Sequence, residues 1–157
     1  MGPYVAVIGA SRPSGAVAEA GQRVGELVAQ AGAVLVCGGR GGVMEAACRG
    51  ARACGGLTVG ILPGLTRAEA NPYVDVALPT GLGDARNALV VSSADVVIAV
   101  GGGPGTLSEI GLALSMGRAV VGLLTWEATA PSGGSLDIAR AASPEEAVAM
   151  ALGRLPR

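Results

Sequence analysis

Apolar positions fall along this chain in two alternating rhythms. Tyr4–Gly9 (YVAVIG), Ala33–Cys37 (AVLVC), Leu57–Leu62 (LTVGIL), Val96–Val100 (VVIAV) and Ala119–Leu124 (AVVGLL) are short and almost wholly apolar. Such β-branched runs predict strands buried on both faces, as in a parallel sheet. Between them the apolar residues recur at helical spacing. Val17, Gly21, Val24, Leu27, Val28 and Ala31 predict a helix that Gly32 ends. A second helix runs from about Val43 to Cys54 and stops at Gly55-Gly56. A third runs from Asp84 to about Ser93, with Ala88, Leu89 and Val91 or Ser92 inward. A fourth carries Leu107, Ile110, Leu112, Ala113 and Leu114. Ser143-Pro144-Glu145-Glu146 combines a cap, a proline at the first helical position and a glutamate at the third, so it opens a C-terminal helix.

The remaining segments are shorter. Val74–Leu78 predicts a strand at the sheet's edge, because prolines flank it. Leu136–Ala141 predicts a last short strand. Trp126–Ser135 is a loop to which the residues assign no role, and Arg154–Arg157 a frayed tail. Strands alternating with helices imply right-handed crossovers. The expected class is α/β: one Rossmann-like, doubly wound, mainly parallel sheet with helices on both faces, a single domain over residues 1–157.

The chemistry gathers where strands end. Val96–Val100 runs into Gly101-Gly102-Gly103-Pro104-Gly105-Thr106, and a helical pattern follows at once. Glycines let backbone N–H groups approach a ligand with no Cβ in the way. The first turn of a helix adds unpaired N–H groups and the positive end of its dipole. Together they make a phosphate or carboxylate site. Gly38-Gly39-Arg40-Gly41-Gly42 ends the second strand the same way, and Ala10–Gly15 (ASRPSG) follows Gly9. Loops after parallel strands meet at one sheet edge, where open α/β sheets bind ligands. None fits G-x-G-x-x-G and no acidic residue ends the second strand, which disfavours a plain dinucleotide fold.

Candidate ligand contacts are Gly9, Ser11, Gly39, Arg40, Gly41, Gly42, Asn87, Gly102, Gly103, Gly105 and Thr106. Arg86 sits in the first turn of its helix, where the dipole repels a cation, so an anion facing it would turn a misfit into a bidentate contact. Thr106-x-x-Glu109 has the spacing of a capping box, which needs no ligand to explain it. The same carboxylate beside a phosphosugar would stabilise positive charge at the anomeric carbon or activate water.

Composition removes other chemistries. There is no His, hence no Ser-His-Asp triad and no His metal ligand. All eleven basic residues are Arg, so neither a pyridoxal-phosphate Schiff base nor a Walker A loop can form. Net charge is −1 with both signs interspersed, which predicts no nucleic-acid and no membrane partner. Cys37, Cys48 and Cys54 lack C-x-x-C spacing and read as buried free thiols of a cytoplasmic protein without a signal peptide. Phe is absent, so core volume comes from Val, Leu, Ile and Ala.

The glycine loops also carry a resemblance. Gly101 to Glu109 resembles the P-G-G-x-G-T-x-x-E motif of the Lonely Guy (LOG) family, once labelled lysine decarboxylases, with Gly101 in place of the leading proline. Gly38 to Met44 resembles that family's G-G-x-x-G-L-M loop. Asp84-Ala85-Arg86-Asn87 falls where the family has an Arg-Lys pair, so Asn87 replaces the lysine. The resemblance implies N-glycosidic hydrolysis of AMP or cytokinin riboside 5′-monophosphates, without a cofactor, with Arg86 and Glu109 as the catalytic pair. The Arg-Asn version is similar to a neighbouring branch that includes molybdenum cofactor carrier proteins. That branch implies a non-catalytic carrier of a phosphorylated pterin. Either branch implies a homodimer or homotetramer. A lysine-free chain excludes the old decarboxylase label.

Overall fold

Both faces of the apolar runs are covered, and this makes them central strands. The computed structural model describes residues 1–156. Its strands are β1 (Tyr4–Gly9), β2 (Val34–Cys37), β3 (Thr58–Leu62), β4 (Val76–Pro79), β5 (Val96–Val100), β6 (Ala119–Leu123) and β7 (Ala139–Ala141). They form one sheet in the order β4-β3-β2-β1-β5-β6-β7, parallel throughout. The helices are α1 (Gly15–Gln30), α2 (Val43–Ala53), α3 (Arg86–Ser92), α4 (Pro104–Ser115) and α5 (Pro144–Leu152).

Alternate residues of each strand serve opposite layers. Val96, Ile98 and Val100 join Val24 and Val28 of α1, Ala47 of α2 and Ala147 of α5. Val97 and Ala99 join Val90 and Val91 of α3 and Ile110 and Ala113 of α4. The core is aliphatic, as a chain without Phe requires. Glycines bring α1 against α2: a Cβ at Gly21 would lie 3.2 Å from a Val43 methyl, and one at Gly25 would overlap the Ala47 carbonyl. Among the described residues no helix is long and apolar enough to cross a membrane.

The winding reverses between β1 and β5, and a crevice opens there at the carboxyl ends. Gly9 ends β1 in register with Val100, the last residue of β5. A Cβ at Gly9 would overlap the Val100 carbonyl, and Ala10 N–H donates to that carbonyl at 3.3 Å.

β1 and β5 have the bounds the apolar runs predict. Other expectations need correction. The edge strand starts at Val76, because Asn71 first ties the chain into a turn: its carbonyl accepts from Val74 N–H and its Oδ1 from Tyr73 N–H. In α3, Val90 and Val91 are inward, while Leu89 is 39% exposed and Ser92 is exposed. A 3-10 helix at Gly83–Ala85 precedes α3 and advances about 120° per residue, which rotates the register. Cys54 is exposed at the end of α2, unlike Cys37 and Cys48, which are buried and free. At the C-terminus, Arg154 donates to the Met150 carbonyl at 3.0 Å, and Arg157 lies outside the described residues.

Candidate functional site: the glycine-loop crevice

The loop between β5 and α4 turns through conformations open to glycine. Gly101 has φ +60° and Gly102 φ +124°. A Cβ at Gly101 would stand 2.7 Å from Val17 Cγ1, and one at Gly102 2.5 Å from Thr106 Oγ1. Gly103 is the N-cap and Pro104 the first helical residue, which its fixed φ and missing N–H suit. Thr106 therefore lies inside the helix, buried, and makes no side-chain cap. The expected Thr106–Glu109 capping box does not form, because Pro104 starts the helix before Thr106 can cap it.

Gly101 N–H donates to the Leu123 carbonyl at 3.0 Å, but the amides after it are free while two of the loop's carbonyls are occupied. Gly101 O accepts from Thr125 Oγ1 at 2.5 Å. Gly103 O accepts from Trp126 Nε1 at 3.0 Å and from Leu107 N–H at 3.2 Å. The N–H groups of Gly102, Gly103, Gly105 and Thr106 donate to no acceptor among the described residues. Unpaired amides at the start of a twelve-residue helix favour a negative charge.

The β2–α2 loop is held in the same manner. Gly39 O accepts from Asn71 N–H and Arg40 O from Asn71 Nδ2, each at 2.8 Å, and Asn71 is buried. Gly39, at φ +75°, is buried with its N–H on Cys37 Sγ at 3.3 Å, so it shapes the loop and its amide is engaged. Gly42, at φ +71°, passes so close to Ala10 and Ser11 that a Cβ would strike their carbonyls. Arg40 and Gly41 are exposed at the tip, as are Ser11 and Arg12 on the β1–α1 loop.

Arg86 enters beneath these loops from the start of α3. Its Nη1 donates to the Ile61 carbonyl at 2.9 Å. A Cβ at Gly38 would overlap that same nitrogen, so bare Gly38 admits the guanidinium. Its Nε is buried with no partner. Burial lowers its pKa, and Glu109 chiefly opposes that shift. Glu109, half-buried on α4, is pushed up to about 7 by burial, partly offset by Arg86. Among the described residues no ion pair within 4.0 Å joins the two, and Glu109 accepts no hydrogen bond. Asn87 is half-buried beside Arg86 in sequence.

The structure thus brings Arg86, Glu109 and the glycine loops to one sheet edge. Clefts of about 530 and 500 Å³ lie elsewhere, around Arg118 and Asp137 and around Glu127 and Ser135. Charge and free amides, not concavity, mark the crevice. Sequence reasoning missed Thr125, Trp126 and Asn71, which hold the loops from behind. A lone Trp in a polar segment straight after a strand was the available signal.

The model of the SLOG cluster4 family matches residues 2–148. The chain is similar to the molybdenum cofactor binding protein from the phototrophic bacterium Rippkaea orientalis, with 36% identity, a TM-score of 0.86 and 96% of each chain covered. It is similar to the molybdenum cofactor carrier protein from Chlamydomonas reinhardtii, with 34% identity, a TM-score of 0.83, and 98% of this chain and 97% of that one covered. It is also 36% identical over 110 residues to the cytokinin riboside 5′-monophosphate phosphoribohydrolase of Mycobacterium tuberculosis; the match spans 68% of this chain and 59% of that enzyme.

Proposed function

The chain belongs to the SLOG cluster4 family, and from that premise we propose that it binds a phosphorylated, nucleotide-like small molecule as cargo, with molybdenum cofactor the first candidate. The observation that carries this reading is the set of free amides at Gly102, Gly103, Gly105 and Thr106 with the partnerless Nε of Arg86 at the same edge. A phosphate supplies acceptors for all of them at once. Arg40 and Ser11, exposed on neighbouring loops, complete the anion's surroundings, and Asn87 offers an amide to the ligand's polar groups. Likeness to two molybdenum cofactor proteins over nearly the whole chain supports a phosphorylated pterin as that ligand. Asn87, neutral where the LOG motif has lysine, supports holding over turnover. We take residues 1–157 as one domain that works as a homo-oligomer.

A second reading has its own support. Glu109 beside Arg86, with its proton poised near neutrality, suits hydrolysis of an N-glycosidic bond. The β5–α4 loop anchors a 5′-phosphate, Arg86 orients it, and the ionised Glu109 stabilises an oxocarbenium-like ribose.

One pair of measurements separates them. Protein from cells that make molybdenum cofactor is denatured, oxidised and assayed for pterin fluorescence. Pure protein is incubated with AMP and cytokinin riboside monophosphates and assayed for free base. Near-stoichiometric pterin without base release supports the carrier. Base release abolished by Glu109→Gln supports the hydrolase. Neither pterin in the purified protein nor base release removes both readings.

A further inference from the structure

A loop of glycines is a poor anion site unless something holds its peptides in place. Bare backbone has wide conformational freedom, and ordering it on binding costs affinity. Here two side chains from the segment after β6 hold it.

Leu124 makes this possible. It is the only non-glycine residue at positive φ among the described residues, at 55°. This left-handed turn is uncommon for leucine and marks a local constraint. Straight after it, Thr125 Oγ1 reaches Gly101 O and Trp126 Nε1 reaches Gly103 O. Gly122 on β6 leaves room for the turn: a Cβ there would stand 2.8 Å from Thr125 Cγ2 and 3.0 Å from Ile138 Cδ1. Arg140 Nη1 holds the Thr125 carbonyl at 3.4 Å. Further along, Thr129 and Ser135 pair as an antiparallel bridge, and Leu136 N–H donates to the Ala128 carbonyl at 3.0 Å, so the segment is closed on itself.

Peptide geometry gives these contacts a consequence. Across a trans peptide the C=O and the following N–H point to opposite sides. Fixing Gly101 O toward Thr125 therefore aims Gly102 N–H away from it. Fixing Gly103 O holds the carbonyl that accepts the first bond of α4, from Leu107 N–H, and so fixes the turn that carries Gly105 and Thr106.

We infer that Thr125 and Trp126 are positioning residues of the anion site: a strap that presets the β5–α4 loop with the Gly101 and Gly103 carbonyls bound and the amides of Gly102, Gly103, Gly105 and Thr106 free. This rests on the phosphate-binding reading above. Trp126 is the chain's one tryptophan, so its emission reports on the loop directly.

The test uses the full chain with two probes, inorganic phosphate and AMP. Wild-type tryptophan emission should change and saturate at the Kd that calorimetry gives for the same probe. Thr125→Val and Trp126→Phe should each weaken AMP binding by about tenfold, as loss of one such hydrogen bond implies. Thr125→Ser, which keeps the hydroxyl, should restore it. Affinity in Thr125→Val and Trp126→Phe equal to wild type overturns the strap and leaves the phosphate reading intact. So does a folded Thr125→Ser variant that binds AMP as weakly as Thr125→Val does. A wild type that binds neither probe overturns the phosphate reading, and the strap with it.

Discussion

Arg86 and Glu109 act on each other's ionisation without closing an ion pair. Each is the chief charge opposing the other's burial, yet no nitrogen–oxygen approach within 4.0 Å joins them. Burial dominates at Glu109 and holds its pKa at about 7. An unfolded glutamate releases its proton near 4.5, so between 4.5 and 7 the native state binds more protons than the unfolded one. Stability from this group is complete below 4.5 and lost as pH rises through 7. The loss should be on the order of 1–2 kcal/mol, allowing for solvent screening of a half-buried group. Thermal melts from pH 5 to 8 should fall more steeply for wild type than for Glu109→Gln. Parallel curves would show that Glu109 titrates normally.

The same carboxylate should make anion binding pH-dependent. A neutral Glu109 leaves Arg86 unopposed; an ionised one repels the incoming charge. Sulfate, which does not titrate in this range, should bind several-fold more tightly at pH 6 than at pH 8, a Coulomb effect of about 1 kcal/mol, the water-screened value for unit charges at close range. Glu109→Gln should flatten the profile. A profile as steep in that variant as in wild type assigns the pH dependence to another group.

Arg86 should matter more to binding than to folding. Its desolvated charge, lowered pKa and unpartnered Nε are costs to the empty protein. Arg86→Met should therefore leave the melting temperature unchanged or raised, while AMP affinity falls by more than about tenfold, the range for a charged hydrogen bond. Arg86→Lys should not restore affinity, since an ammonium has neither the Nε donor nor the planar fork. A variant that binds AMP normally would remove Arg86 from the site.

What the sequence disclosed follows the range of each signal. β1, β5 and the glycine loops are written in consecutive residues: an apolar run, then a turn only glycine takes easily. The helix start at Pro104 was equally local, and the Thr-x-x-Glu spacing obscured it. Arg86 was picked out by its misfit with the dipole, but its seat depends on Ile61 and Gly38, which only the parallel topology brings near. The Thr125 and Trp126 contacts span 24 and 23 residues and leave no periodic trace. Asn71 reaches across 31 residues to Arg40 and is invisible for the same reason.

Gly38 offers a way to disturb Arg86 without changing it. A methyl at Gly38 would overlap Arg86 Nη1 and lie 2.7 Å from Met44 Sδ. Both neighbours are ends of flexible side chains and can move. Gly38→Ala should therefore fold, lose the Arg86–Ile61 bond and weaken AMP binding as Arg86→Met does. Gly111→Ala is the control, on an exposed face of α4 with open space around its Cβ. It should stabilise the chain by about 0.5–1 kcal/mol and leave AMP binding unchanged. Gly38→Ala binding AMP as wild type does would show that Arg86 need not occupy its present seat.

The cysteines divide by accessibility, and this reaches the second glycine loop. Cys37 and Cys48 are buried with their sulfurs 3.5 Å apart, far beyond a disulfide bond of about 2.05 Å. Cys37 Sγ accepts from Gly39 N–H, so the thiol closes β2 into the loop. The hydrogen bond between the sulfurs lowers the Cys37 pKa and raises that of Cys48, and burial raises Cys48 further. Cys54 is exposed. A thiol reagent should consume one thiol in the native protein and all three after denaturation. Ligand binding should slow any native reaction of Cys37, because opening β2 to the reagent dismantles the loop that Asn71 and Gly39 hold. Rapid native reaction of all three thiols would mean that this loop opens readily, and a loop so loose would not be preset for any ligand.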